Sequence, residues 1–134
     1  MFASARRTYE SGSKAAPSGR ELEAAALYKS ARQLEGCRRD WDAPGHAQRL
    51  EEALRFNQRL WTFFQSEIAA DDCTLPRELR RNLLQLSVFV DRRTFEVMAE
   101  PSADALQALI EINRNIAAGL STPASATAAG TRTA

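Results

Sequence analysis

The catalytic side chains available to this 134-residue chain are few: one imidazole, His46, and two thiols, Cys37 and Cys73. A histidine-dependent triad needs that one ring beside a nucleophile and an orienting acid, and the sequence spells no such constellation. Metal binding fares no better. The two cysteines lie far apart, no CxxC occurs, and His46 has no acidic or thiol partner at ligand spacing, so three separate segments would have to converge on one ion. The expectation is no metal and no cofactor, with two buried thiols in a reducing compartment, a disulfide as the alternative, and a surface histidine. The carboxylate pairs Glu51-Glu52 and Asp71-Asp72 give no acid–base site, because adjacent helical residues point about 100° apart. There is no GxxxxGK[ST] or GxGxxG loop to cradle phosphate, no HExxH and no GxSxG. The residues describe a protein that is not an enzyme.

Charge offers a second kind of chemistry. Eighteen basic residues against seventeen acidic give a formal charge of +1, too little to draw in nucleic acid or anionic lipid over a distance. Sixteen of the basic residues are Arg, the better bidentate ligand for phosphate and carboxylate, although an excess of Ala and Arg together is more simply the coding bias of a GC-rich genome. Five of them, Arg77, Arg80, Arg81, Arg92 and Arg93, crowd one segment, and Arg77, Arg81 and Arg92 flank an apolar strip of Leu84, Val88 and Phe95. Arginines rimming an apolar strip suit a protein interface at least as well as an RNA groove. The balanced charge favours protein, and no basic and aromatic residues interleave as in RNP or KH modules.

These side chains must be carried by helices. The pattern predicts an all-α protein, a small bundle of about four helices in one domain spanning residues 1–120, followed by a disordered tail over 121–134. Residues up to Pro17 are polar, with Tyr9 able to start a short arm. Ser18-Gly19-Arg20-Glu21 forms a capping box, and helix one runs to about Gly36 on a narrow stripe of Ala24, Leu27, Ala31 and Leu34. Helix two, about His46 to Ala70, carries the heavy stripe Leu50, Leu54, Leu60, Trp61, Phe64 and Ile68. Pro76 opens helix three, which runs to about Glu100. Ser102 caps helix four, and Gly119 is its expected C-terminal stop. Beyond Leu120 no large apolar side chain repays the entropy of ordering. The first residues, Met1 to Arg7, lack an apolar signal core, and no apolar run reaches about 18 residues. A soluble cytoplasmic protein without membrane insertion is expected.

Two features break the expected amphipathic pattern. Helix three is apolar on two faces: Leu79, Leu83, Leu86, Val90 and Val97 on one, Leu84, Val88 and Phe95 on the other. One face suffices to cover a core, so the second must meet another helix or something outside the chain. The other break is polar. Asn57 falls in the row of helix two, and Asn113 falls in the row of Leu106, Leu109, Ile110, Ile116, Ala117 and Leu120. A buried amide without partners costs about 1–3 kcal/mol, so both asparagines are expected to be buried and hydrogen-bonded, each a candidate partner for the other, and to fix helix register. Asn115, which points away from that row, and Arg114 at its margin are candidates for partner contact.

Three segments, LRFNQRLW (Leu54 to Trp61), LPRELRRNLLQLSVFVDRRTFEVM (Leu75 to Met98) and LIEINRNIAAGL (Leu109 to Leu120), together resemble FlaF, a family of flagellar biosynthesis regulators of alphaproteobacteria. SGRELEAAAL at the start of helix one is similar too. The likeness runs from about Tyr9 to Leu120. It implies a non-enzymatic protein that promotes flagellin production and export in concert with FlbT, a regulator acting on flagellin messenger RNA, and that binds flagellin as a chaperone. A surplus apolar face bounded by Leu84, Val88, Arg92 and Phe95 fits capture of an amphipathic partner helix. The alternative is a post-transcriptional regulator whose arginines touch flagellin mRNA directly.

Overall fold

Four amphipathic helices fill residues 19–121, the part of the chain that the computed structural model describes. They are α1 (Gly19–Arg39), α2 (His46–Ala69), α3 (Arg77–Ala99) and α4 (Leu106–Ser121). No strand occurs among the described residues. The fold is all-α. The Ser18 hydroxyl of the expected capping box, the Tyr9 arm and residues 122–134 of the expected tail lie outside the described residues.

Cross-helix hydrogen bonds give the topology. Arg20 at the start of α1 donates to the Gly119 carbonyl near the end of α4 at 3.4 Å, so these two helices run antiparallel, and theirs is the most extensive pairing in the molecule. Ser30 on α1 meets Asn57 on α2 at 2.9 Å, and Gln65 on α2 meets Asp91 on α3 at 2.8 Å. The helices alternate in direction, up and down. α1 is sandwiched between α2 and α4, and α3 rests mainly on α2, with a slight contact to α4.

Each stripe explains its helix's place. Ala24, Leu27, Ala31 and Leu34 of α1 are buried, and the small volumes of Ala24 and Ala31 let a neighbouring helix approach closely. Leu50, Leu54, Leu60, Trp61, Phe64 and Ile68 of α2 form the bulk of the core, closed by Leu106, Leu109, Ile110 and Ala117 of α4. The rings of Phe64 and Trp61 meet edge to face, with centroids 5.7 Å apart, the geometry aromatic quadrupoles favour. Between α1 and α2, Gly45 turns the chain at φ 80°, a left-handed conformation that a side chain disfavours. Arg49 pins the same turn, donating to the carbonyls of Pro44 at 2.6 Å and Asp40 at 3.4 Å.

Several boundaries differ from expectation. α1 continues through Gly36 to Arg39 because Cys37 is itself a buried core residue and Glu35 and Arg38 pair at 2.7 Å one turn apart. Pro76 is the residue before α3 rather than its first. α4 continues through Gly119 to Ser121, whose hydroxyl donates to the Ala117 carbonyl at 2.9 Å; Ser121 therefore closes the helix rather than starting the tail. Leu79, placed on the inner face of α3, is 44% exposed. It sits on the first turn of its helix, beyond the reach of the α2 core, which ends at Ile68.

Candidate functional site

Helix α3 buries only Ser87, Val90, Thr94 and Val97. Two of these four are hydroxyl residues that satisfy themselves on their own helix: Ser87 donates to the Leu84 carbonyl and Thr94 to the Val90 carbonyl, each at 2.7 Å. The opposite side is unusual. At about 100° per residue, Arg77, Arg81, Leu84, Val88, Arg92 and Phe95 fall within an arc of about 80°. Val88 is 55% exposed and Phe95 58%, while Leu84 is half-buried. Phe89 and Met98 are exposed on the flanks. All the large apolar side chains exposed among the described residues lie on α3 or just before it, at Leu75. A shallow groove lined by Arg77, Arg80, Arg81, Leu84, Gln85 and Val88 runs along the first half of this face.

The arginines of the segment divide by role. Arg80 belongs to the scaffold: its guanidinium donates to the carbonyls of Ile68 at 2.7 Å and of Ala69 and Ala70 at 3.2 Å each. A cation at the C-terminal end of α2 satisfies orphan carbonyls and complements the negative end of the helix dipole. Arg93 lies over the Phe89 ring at 5.5 Å and contacts Glu96 at 3.5 Å. Arg77, Arg81 and Arg92 are exposed and form no ion pair among the described residues. They, with the apolar strip, are the groups left for a partner. Helical periodicity already sets Arg80 off the row of Arg77 and Arg81; that it caps the end of α2 emerges only when the α2–α3 turn folds back.

Arg114 and Asn115 are exposed on α4 but do not join that strip. Arg114 lies near Glu35 of α1, whose carboxyl is held below its ordinary range by the hydrogen bond from Arg38 and, more weakly, by the positive charges of Arg38, Arg114 and Arg39. Neither Arg114 nor Asn115 forms a hydrogen bond or ion pair with α3 among the described residues. The partner candidates thus fall into a strip on α3 and two exposed residues on α4, of which Arg114 lies near Glu35 of α1.

Asn57 and Asn113 are both fully buried. Asn113 Nδ2 donates to Asn57 Oδ1 at 2.8 Å and to Ser30 Oγ at 3.1 Å. Ser30 Oγ donates to Asn57 Oδ1 at 2.9 Å, and Trp61 Nε1 donates to Asn113 Oδ1 at 2.9 Å. Three helices are thus tied through one cluster. Ser30 and Trp61 are its overlooked members. Their signal lies in the spacing, since Ser30 falls three residues after Leu27 in the α1 stripe and Trp61 one turn after Asn57.

The residues of the other chemistries are dispersed. Cys37 is buried, Cys73 partly so, and both are free thiols; burial raises the pKa of Cys37. Among the described residues no group of three or more His, Cys, Asp and Glu side chains could hold a metal ion. His46 is a packing residue rather than the surface residue expected: its ring lies 3.9 Å from that of Trp41, because the turn at Gly45 folds the start of α2 over the Trp41 loop. No described helix is long and apolar enough to cross a membrane.

The sequence matches the model of the family Flagellar protein FlaF over residues 5–120. No curated protein matches, and neither does any solved structure. The chain belongs to the FlaF family and is a flagellar protein.

Proposed function

We propose that this FlaF-family chain is a non-enzymatic, chaperone-like factor that binds flagellin in the cytoplasm through the outer face of α3. In doing so it promotes flagellin synthesis and export for filament assembly, together with FlbT. The observation that carries this reading is the exposure of Val88 and Phe95, 55% and 58%, in one row with unpaired arginines. Exposed aromatic and β-branched side chains in a row are a liability unless a partner covers them. An amphipathic helix laid along that row would bury its own apolar side against theirs and meet the arginines with its polar margin. Flagellin, by family resemblance, carries such helices at its termini and needs them shielded before export. Arg114 and Asn115, exposed on α4, are candidates for a secondary contact.

The test is direct binding of the purified protein to purified flagellin, with flagellin messenger RNA as the competing ligand, across a range of salt. Apolar capture should persist at high ionic strength. Contacts to phosphate release counterions, and their affinity falls steeply as salt rises. Flagellin binding that survives high salt supports the proposal; binding to the RNA alone, lost as salt increases, would replace it with the messenger-contacting reading.

A further inference from the structure

The outer face of α3 resolves into two files. At about 100° per residue, Leu84 and Phe95 lie within about 20° of each other on one edge of the row, Arg81 and Arg92 within about 20° on the other, and Val88 runs between them. Each file joins positions three turns apart, about 16 Å along the axis. Arg77 adds a third cation at the start of the helix, where the positive end of the dipole disfavours it. Cations that serve the fold are anchored, as Arg80 is on the carbonyls of α2. Arg77, Arg81 and Arg92 are exposed and pair with no acid among the described residues. No acid falls within their arc. Asp91 is engaged by Gln65 at 2.8 Å, Glu96 contacts Arg93 at 3.5 Å, and Glu78 stands about 60° round the helix from Arg81.

From this we infer that the segment seated on α3 is an acidic amphipathic helix. Its apolar stripe covers Leu84, Val88 and Phe95, and one edge of that stripe carries two carboxylates about three turns apart, which meet Arg81 and Arg92. The inference names the charge of the occupant; it rests on the proposed function for that occupant being a helix of flagellin. Guanidinium and carboxylate match as a planar, bidentate pair. Charges at the rim of an apolar contact set the choice of partner more than the affinity. The apolar file therefore holds the occupant, and the arginine file selects it.

A helix with basic edges would set its cations against three arginines that no acid in the arc offsets, and like charges brought together are strongly disfavoured. Nucleic acid would satisfy the arginines but leave the exposed Val88 and Phe95 without apolar cover. The long gap from Arg81 to Arg92 also breaks the basic track that a phosphate backbone follows.

The experiment uses the purified full chain and two labelled synthetic helices with the same Leu stripe in an Ala-rich sequence, one edged with Glu and the other with Lys. Fluorescence anisotropy reads their binding. Wild type should bind the Glu-edged helix about tenfold or more tighter than the Lys-edged one at low salt, and the ratio should shrink as salt screens the pairs. Arg81→Glu/Arg92→Glu should reverse the preference, a result only a folded protein can give. Equal binding of the two helices by wild type, or a preference unchanged in the double variant, overturns the inference. So does tighter binding of an RNA oligonucleotide or of phosphatidylglycerol vesicles than of the Glu-edged helix. Purified flagellin is a separate arm. Equal binding of flagellin by wild type and double variant overturns the acidic-helix inference and spares the proposed function. No binding of flagellin by wild type overturns the proposed function, while the charge preference of the face is still decided by the synthetic helices.

Discussion

Trp61 donates its indole N–H to Asn113 Oδ1 across the α2–α4 interface, at 2.9 Å, and this one bond orients a whole polar cluster. Indole can only donate. The Asn113 carbonyl must therefore point at Trp61, its amide nitrogen must point at Asn57 and Ser30, and Asn57 must offer its oxygen. The orientation leaves Asn57 Nδ2 buried without a partner. Specificity of register is thus obtained with one unsatisfied donor left in the core.

Replacing Asn113 by Leu strands the Trp61 N–H and removes one of the donors to Asn57. A loss of about 1–3 kcal/mol in chemical denaturation is expected, and Trp61→Phe, which strands the Asn113 carbonyl, should cost at least as much. In a double-mutant cycle, Asn57→Leu and Asn113→Leu should couple by about 0.5–3 kcal/mol. Additive losses would show that the two amides act independently.

Arg80 and its neighbours should differ sharply. Arg80→Ala uncaps three carbonyls at the end of α2 and is expected to lower stability by about 1–3 kcal/mol. Arg77→Ala and Arg81→Ala touch no described partner and should stay within about 0.5 kcal/mol of wild type. Equal effects at the three positions would remove Arg80 from the scaffold.

The apolar strip should be dispensable for folding. Val88→Asp combined with Phe95→Asp is expected to leave far-UV circular dichroism and melting near wild type. Flagellin affinity should fall by about 2 kcal/mol or more, as for large side chains at the centre of an interface. Unfolding of this variant would place the strip in the core.

The thiols should react unequally. Burial of Cys37 raises its pKa, so at mildly alkaline pH it stays protonated in the folded protein while an unfolded chain already ionises. Its stabilising contribution is complete below the ordinary thiol pKa and is lost as pH climbs through the raised value. Alkylation followed by mass spectrometry should label the partly exposed Cys73 first and reach Cys37 only on unfolding. Glu35 has the opposite sign: its lowered carboxyl contributes above the ordinary carboxylate pKa and is lost as pH falls through the depressed one, weakly, since the side chain is solvated.

Much of this was legible in the chain. The stripes of α1, α2 and α4 are read correctly because each helix buries one continuous row, and hydrophobic period reports faces well. Leu79 is read wrongly because periodicity says which way a side chain points and not how far the neighbouring core extends. Ser87 and Thr94 escape because a hydroxyl can be buried against its own helix, so their polarity is no guide. Arg80 escapes because its partners are carbonyls from another segment, which no sequence pattern spells. Of the strip on α3, the second apolar face is visible in the sequence, while its separation from Arg114 and Asn115 needed the fold.

The extensive pairing of α1 with α4 has a consequence for the nascent chain. Leu27, Ala31 and Leu34 lie on the helix whose most extensive pairing is with α4, the last of the four described helices in chain order, and the cluster joining Ser30, Asn57 and Asn113 cannot close before α4 arrives. A ribosome that has made α1 to α3 holds an incomplete bundle in which α1 has only α2 to pack against. Completion waits on closing the long span between α1 and α4, a non-local step that slows folding. A chain cut short before Leu106 would retain the α2–α3 hairpin pattern and lack the partner that α1 requires, so such fragments should be sticky substrates for proteolysis rather than partly working proteins.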